Sequence, residues 1–118
     1  MSDRAIQEPT FLILTALADG AQHGYGIMTD VARISRQRVT LRAGTLYAAL
    51  DRLRRDGAID VEREEVVEGR LRRYYRLTPS GAKLLAGEAE RMRANADIAT
   101  RRLKRLAGTA TAFAGGTA

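Results

Sequence analysis

Residues 41–57 read LRAGTLYAALDRLRRDG, and the fold turns on how this stretch is read. Leu46, Ala49, Leu50 and Leu53 recur at steps of three and four, the apolar stripe of an amphipathic helix. Asp56-Gly57 supplies a C-terminal stop, Gly57 being free to adopt the left-handed conformation. The spacing predicts a helix over 43–56. Its other face carries Gly44, Thr45, Tyr47 and Ala48 in the first turns, then Arg52 and Arg55. Small residues followed by cations on a solvent face are the point from which the rest of the chain is read.

Upstream, PTFLILTALADG (9–20) predicts a buried helix, with Pro9 suited to a first helical position and Gly20 following the end. A second helix is expected over Tyr25–Ile34, with Met28, Val31, Ile34 and Tyr25 on its inner side; AQHGYG is the short link between the two. Three helices in about 50 residues match a helix-turn-helix module. After Gly57 the period changes to two. Ile59 and Val61 alternate with acids, EEVVEGR follows, and Leu71, Arg73, Tyr75 and Leu77 alternate with Arg72, Tyr74 and Arg76. Two alternating runs about a Gly69 turn predict a β-hairpin over 59–77. The fold class is mainly α with a small β-hairpin wing: a winged helix-turn-helix.

LTPSG then starts another helix, with Thr78 as N-cap and Pro79 first inside. Within 79–107, Leu85, Ala89, Met92, Ala96, Ala99, Leu103 and Leu106 are spaced 4-3-4-3-4-3, a heptad seam. A helix of over 25 residues, roughly 40 Å, outreaches so small a domain. Its seam is expected to meet a second copy, with the first helix joining the interface. The chain is therefore divided into a DNA-binding domain (5–78), a dimerisation helix (79–107) and a disordered tail (108–118), in which Phe113 is the one candidate for docking.

Charge locates the partner. Net charge is +6. Residues 1–35 carry two Arg against four acids, residues 36–76 eleven Arg against seven, and residues 77–118 seven bases against three acids. The basic excess begins just before the 43–56 helix, which points to a polyanion, either nucleic acid or an anionic membrane surface. With 118 residues and no cysteine, the chain fits one domain in a reducing compartment. No apolar run nears the ~20 residues of a membrane span, so the expected address is the cytoplasm. His23 beside Gly24 reads as a turn or capping residue rather than a metal ligand. Thr29, Ser35 and Ser80 have no histidine arranged for nucleophilic catalysis, so neither an enzyme nor a cofactor is expected.

HGYGI (23–27), GTLYAALDRLRRDGAI (44–59) and GRLRRYYRLTPSG (69–81), in this order and spacing, resemble the PadR family of bacterial transcriptional regulators over roughly residues 9–106. A single long C-terminal helix is similar to the family's short subgroup. The resemblance implies a dimeric winged-helix repressor, often released from DNA by a small molecule. Three positions depart from the family pattern. Arg42 stands where Ser or Asn commonly caps the third helix, leaving its N–H groups to Thr40 or to a phosphate. Ala48 stands where many members have Pro, and no Trp is present to stack a flat drug at a dimer centre.

The candidate DNA-binding residues are Thr45, Tyr47, Ala48, Arg52, Arg55, Arg70, Arg72 and Arg73. Gly44 and Ala48 let a helix approach base edges closely, and Ala48 can touch a thymine methyl. Thr45 and Tyr47 can donate to phosphate or base, although the Tyr47 ring can equally pack between helix and wing. Arg52 and Arg55 reach phosphate or guanine, or are simply solvated; Arg54 lies nearer the flank. Arg70 and Arg72 sit near the wing tip, whereas Arg73 either joins them or pairs with Glu62 or Glu64 across the hairpin. A dimer would present two such helices about one DNA turn apart, to an inverted repeat in double-stranded DNA. Two rivals remain: a winged helix that binds an acidic protein partner, and a nonspecific polyanion binder.

Overall fold

A computed structural model of the chain describes residues 6–117, with side chains as far as Thr109. The elements run α1 (Glu8–Ala18), β1 (Gln22–His23), α2 (Gly24–Ile34), α3 (Ala43–Arg55), β2 (Ile59–Val67), β3 (Arg70–Leu77) and α4 (Pro79–Thr117). Contacts divide the chain into two compact units, one ending at Glu88 and the other beginning at Ala89.

In the first unit three helices close over a three-stranded antiparallel sheet of order β1-β3-β2. The core is almost wholly aliphatic, with Tyr75 the one buried aromatic side chain among the described residues. Leu12, Ile13, Leu14 and Leu17 of α1 meet Ile27 and Val31 of α2, and Leu46, Leu50 and Leu53 of α3. Ala58, Ile59 and Tyr75 close the bottom from the hairpin, and Leu85 of α4 packs against the cluster.

Helix α3 forms where its stripe and stop signal placed it. Gly57 takes φ +79°, and the N–H groups of Gly57 and Ala58 donate to the Arg54 and Leu53 carbonyls, which closes the C-terminus. Thr78 caps α4 as expected: its Oγ1 accepts from the Gly81 N–H (3.0 Å) and donates to the Gly57 carbonyl (2.6 Å). One hydroxyl thereby ties the end of α3 to the start of α4.

Three expectations are corrected. Tyr25 is 73% exposed and Ile34 39% exposed, so neither lies on the inner side of α2; Ile27 and Val31 do, one turn apart, with Met28 at their flank. The AQHGYG link is not merely a turn, because Gln22 and His23 pair with Tyr75 and Tyr74 as a third strand. Finally, α4 does not stop at Ala107 but continues to Thr117, with side chains described through Gly108 and Thr109. The remainder of the tail expected over 108–118, Phe113 included, lies outside the residues whose side chains are described.

The α2–α3 connection enters the left-handed region without using glycine. Arg36 and Gln37 both sit at positive φ (54° and 67°). The Gln37 N–H donates to the Ala32 carbonyl (2.7 Å). Ser35 Oγ both accepts from the Val39 N–H (3.0 Å) and donates to the Val39 carbonyl (3.2 Å). These bonds offset the cost of two consecutive left-handed residues and fix the angle at which α3 leaves α2.

In the second unit, α4 shows no inward face of its own among the described residues. Met92, Leu103 and Leu106 are 46%, 62% and 64% exposed, and Ala96 and Ala99 are exposed beside them. Ala89 is half-buried. Leu85, the first residue of the expected seam, is committed to the core of the first unit.

Candidate nucleic-acid interface

The buried row Leu46–Ala49–Leu50–Leu53 fixes which way α3 faces. At 100° per residue, the positions farthest from it are Gly44, Ala48, Asp51 and Arg55, at steps of four, three and four. All four are exposed. Thr45 and Arg52 flank this lane on one side, above a depression shared with Gln7, Pro9 and Thr10 at the start of α1. Tyr47 flanks it on the other, toward the wing. Thr45, Ala48, Arg52 and Arg55 therefore share one solvent face with Tyr47 at its edge. Asp51 was missed by the sequence reading, although the same arithmetic of steps from Gly44 would have found it.

Tyr47 is half-exposed, and its hydroxyl end lies over Gly24 at the start of α2. The ring therefore leans on α2 rather than standing free. Both sequence readings hold in part: the ring packs, and its edge still borders the groove between α3 and the wing.

No side chain caps the N-terminus of α3. Arg42 is the N-cap and makes no side-chain bond there, and Thr40 does not substitute for it. The leading N–H groups of α3 stay open at the end of the lane, where the positive pole of the helix favours an anion.

The wing is built on a two-residue turn, Glu68-Gly69, with φ of 51° and 77°. A bulge at Glu62 shifts the register between Val61 and Arg63. Beyond it, Glu64 and Val66 share a face with Val61, the reverse of what strict alternation gives. Tyr75 and Leu77 at the base of this face meet the core, while Arg73 binds Glu64 at 2.8 Å higher up. Arg73 thus takes the cross-strand pair that was one of its two expected roles. On the opposite face Arg63 lies 3.8 Å from the centre of the Tyr74 ring, gripped by Glu62 (2.8 Å) and Glu65 (3.4 Å). Arg76 binds Asp60 at 2.7 Å, and that bond holds the Asp60 carboxyl below the usual carboxylate range. Arg70 and Arg72, at the tip, have no salt-bridge partner among the described residues. An open groove runs between Tyr47 and Asp51 of α3 and the wing, with Arg70, Arg72 and Arg73 along the wing side.

His23 joins the wing to α2. Its Nδ1 accepts from the Gly26 N–H (3.2 Å), capping α2, so the neutral ring carries its proton on Nε2. The ring meets Tyr74 edge-on at 5.3 Å. Burial, helped by the nearby Arg72 guanidinium and opposed by Glu65, holds the imidazole below its ordinary range. Among the described residues no cluster of three metal-ligating side chains occurs, and no helix is long and apolar enough to cross a membrane.

Residues 13–87 match the model of the transcriptional regulator PadR-like family. A Mycobacterium tuberculosis protein, transcriptional regulator Rv3488, is 41% identical over 73 residues, 62% of this chain. The match spans 64% of that relative, less than two thirds of its length. A PadR-family regulator of Clostridium difficile has a similar structure, with TM-score 0.65 at 26% identity, covering 82% of this chain and 99% of that one. Bacillus subtilis PadR, solved in complex with operator DNA, has the same fold, with TM-score 0.62 at 24% identity over 69% of this chain and 47% of that one.

Proposed function

The chain belongs to the PadR-like family of transcriptional regulators, and from that premise we propose that it is a homodimeric repressor that reads a palindromic operator with α3 and steadies itself with the wing. The observation that carries this reading is the solvent face of α3. Gly44 and Ala48 leave the first turns narrow enough to enter a major groove, and Arg55 extends the same lane. Thr45 and Arg52 border one side and Tyr47 the other. The uncapped N-terminus of α3 offers N–H groups to a phosphate, which supports the reading of Arg42 as a cap left open for the ligand. Arg70 and Arg72 are the wing cations free to meet the backbone or minor groove; Arg73 contributes only by giving up Glu64.

Homodimerisation rests on the exposed seam Met92–Ala96–Ala99–Leu103–Leu106, which has no cover within its own unit. We assign residues 5–78 to DNA binding and 79–107 to dimerisation, with Leu85 anchoring the helix to the head and Ala89 beginning the shared seam. Repression, and release by a small molecule, follow the family likeness. Without Trp, an effector would be held by aliphatic contacts along the seam rather than by stacking on an indole. Such an effector acts by favouring one spacing of the two heads over another.

The test is titration of the protein against its own upstream DNA and a scrambled duplex, at several salt concentrations, for wild type and for Thr45→Ala/Arg52→Ala. Preference for the upstream duplex near 150 mM salt, lost in the double variant, supports α3 as the reader. Equal and steeply salt-dependent binding to both duplexes, untouched by the substitutions, favours a nonspecific polyanion binder. No binding to either at low salt favours a protein partner.

A further inference from the structure

We infer that Asp51 is a specificity-determining residue of α3 that accepts a hydrogen bond from the exocyclic amine of a cytosine in the major groove. The inference rests on the DNA-binding reading above and deepens it.

Asp51 lies in the middle of the lane Gly44–Ala48–Asp51–Arg55, nearer its centre than Thr45, Tyr47 or Arg52. It is exposed and has no ion-pair or hydrogen-bond partner among the described residues. The acids on the wing strands differ: Asp60, Glu62, Glu64 and Glu65 are all held by arginines, and only Glu68 in the turn is, like Asp51, without an ion pair among the described residues. Asp51 faces the groove bordered by Arg70, Arg72 and Arg73 without binding any of them.

A free carboxylate on a face that meets a polyanion is repelled by phosphates, so its place in the complex is over base edges. There the chemistry discriminates. Guanine and thymine present carbonyl oxygens to the major groove, which repel a carboxylate. Adenine sets the N7 acceptor beside its amine, whereas the cytosine N4 amine has only a C–H next to it. A carboxylate therefore selects cytosine. Arg55, one turn along the lane, carries the donors that suit the guanine of the same or the adjacent pair. Asp51 lowers affinity for DNA in general and raises the penalty for the wrong base, which is how specificity is gained by repulsion.

The experiment is fluorescence anisotropy on the upstream duplex carrying every single base-pair change, for wild type, Asp51→Ala and Asp51→Asn. Thermal melts of each variant confirm folding. Wild type is expected to lose about fivefold to tenfold affinity when one C·G pair per half-site becomes T·A. Asp51→Ala should flatten that position to within about twofold and bind scrambled DNA more tightly. Asp51→Asn should shift the preference there toward adenine, since an amide can bind N6 and N7 together. A wild-type preference that survives unchanged in Asp51→Ala overturns this inference alone. Wild-type binding that ignores sequence overturns the regulator reading and this inference with it.

Discussion

The hydroxyl of Tyr47 occupies the space that a side chain on Gly24 would fill, so α3 and the start of α2 meet through a tyrosine laid over a glycine. This contact sets the edge of the α3 face that looks toward the wing. Gly24→Ala is expected to push the ring off its seat and cost about 1–3 kcal/mol of stability. In a Tyr47→Ala background the same substitution should cost under about 0.5 kcal/mol, because the overlap is gone. Chemical denaturation of the four-member cycle measures the coupling, and additive effects would refute the contact.

Gly81 and Gly87, both in the first turns of α4, should respond oppositely to alanine. A methyl on Gly81 would overlap the carbonyl oxygen of Ala58, a backbone atom that cannot swing away, whereas one on Gly87 meets open space. Gly81→Ala should destabilise by at least about 1–3 kcal/mol and Gly87→Ala should stabilise by about 0.5–1 kcal/mol. Melting temperatures moving in the same direction would contradict this packing of α4 on the hairpin base.

Stability should fall on mild acidification through His23. Its imidazole must be neutral to accept from Gly26, and its folded-state pKa lies below the ordinary value. The contribution is therefore complete above pH ~6.5, the unfolded value, and is lost as pH falls through the lower folded value. Denaturation midpoints from pH 8 to pH 5 should decline for wild type. His23→Asn, which keeps a capping acceptor without titrating, should flatten that part of the profile.

Fold and interface were legible in the sequence to different degrees. Helix α3 announced itself because one segment carries both its period and its stop signal, and the hairpin because a two-residue turn separates alternating runs. Strand β1 was hidden, since Gln22-His23 has no pattern of its own and becomes a strand only by pairing with Tyr74 and Tyr75. The inner face of α2 was misread because Met28–Val31–Ile34 and Ile27–Val31 both satisfy helical spacing, and only tertiary packing chooses between them. Local sequence also hides the bulge at Glu62, so the faces of Glu64 and Val66 could not be read from alternation. Asp51 was passed over although the stripe Leu46–Ala49–Leu50–Leu53, legible in the sequence, already sets it on the outward face of α3.

The seam of α4 predicts a mass. Sedimentation of wild type should give a dimer at micromolar concentration. Leu103→Arg, a charge placed at an exposed seam position, should give a monomer whose first unit keeps its fold by circular dichroism. A wild-type monomer at every concentration would exclude the two-headed arrangement.

Placement of α3 on DNA offers the most direct test of the central claim. The chain has no cysteine, so Arg54→Cys on the flank of α3 can carry a single tethered iron chelate that cleaves nearby DNA. Two helices seated in successive major grooves predict two symmetric clusters of cuts about 10 base pairs apart. Cuts scattered evenly along the upstream duplex, or none at all, would contradict α3 as the reading element.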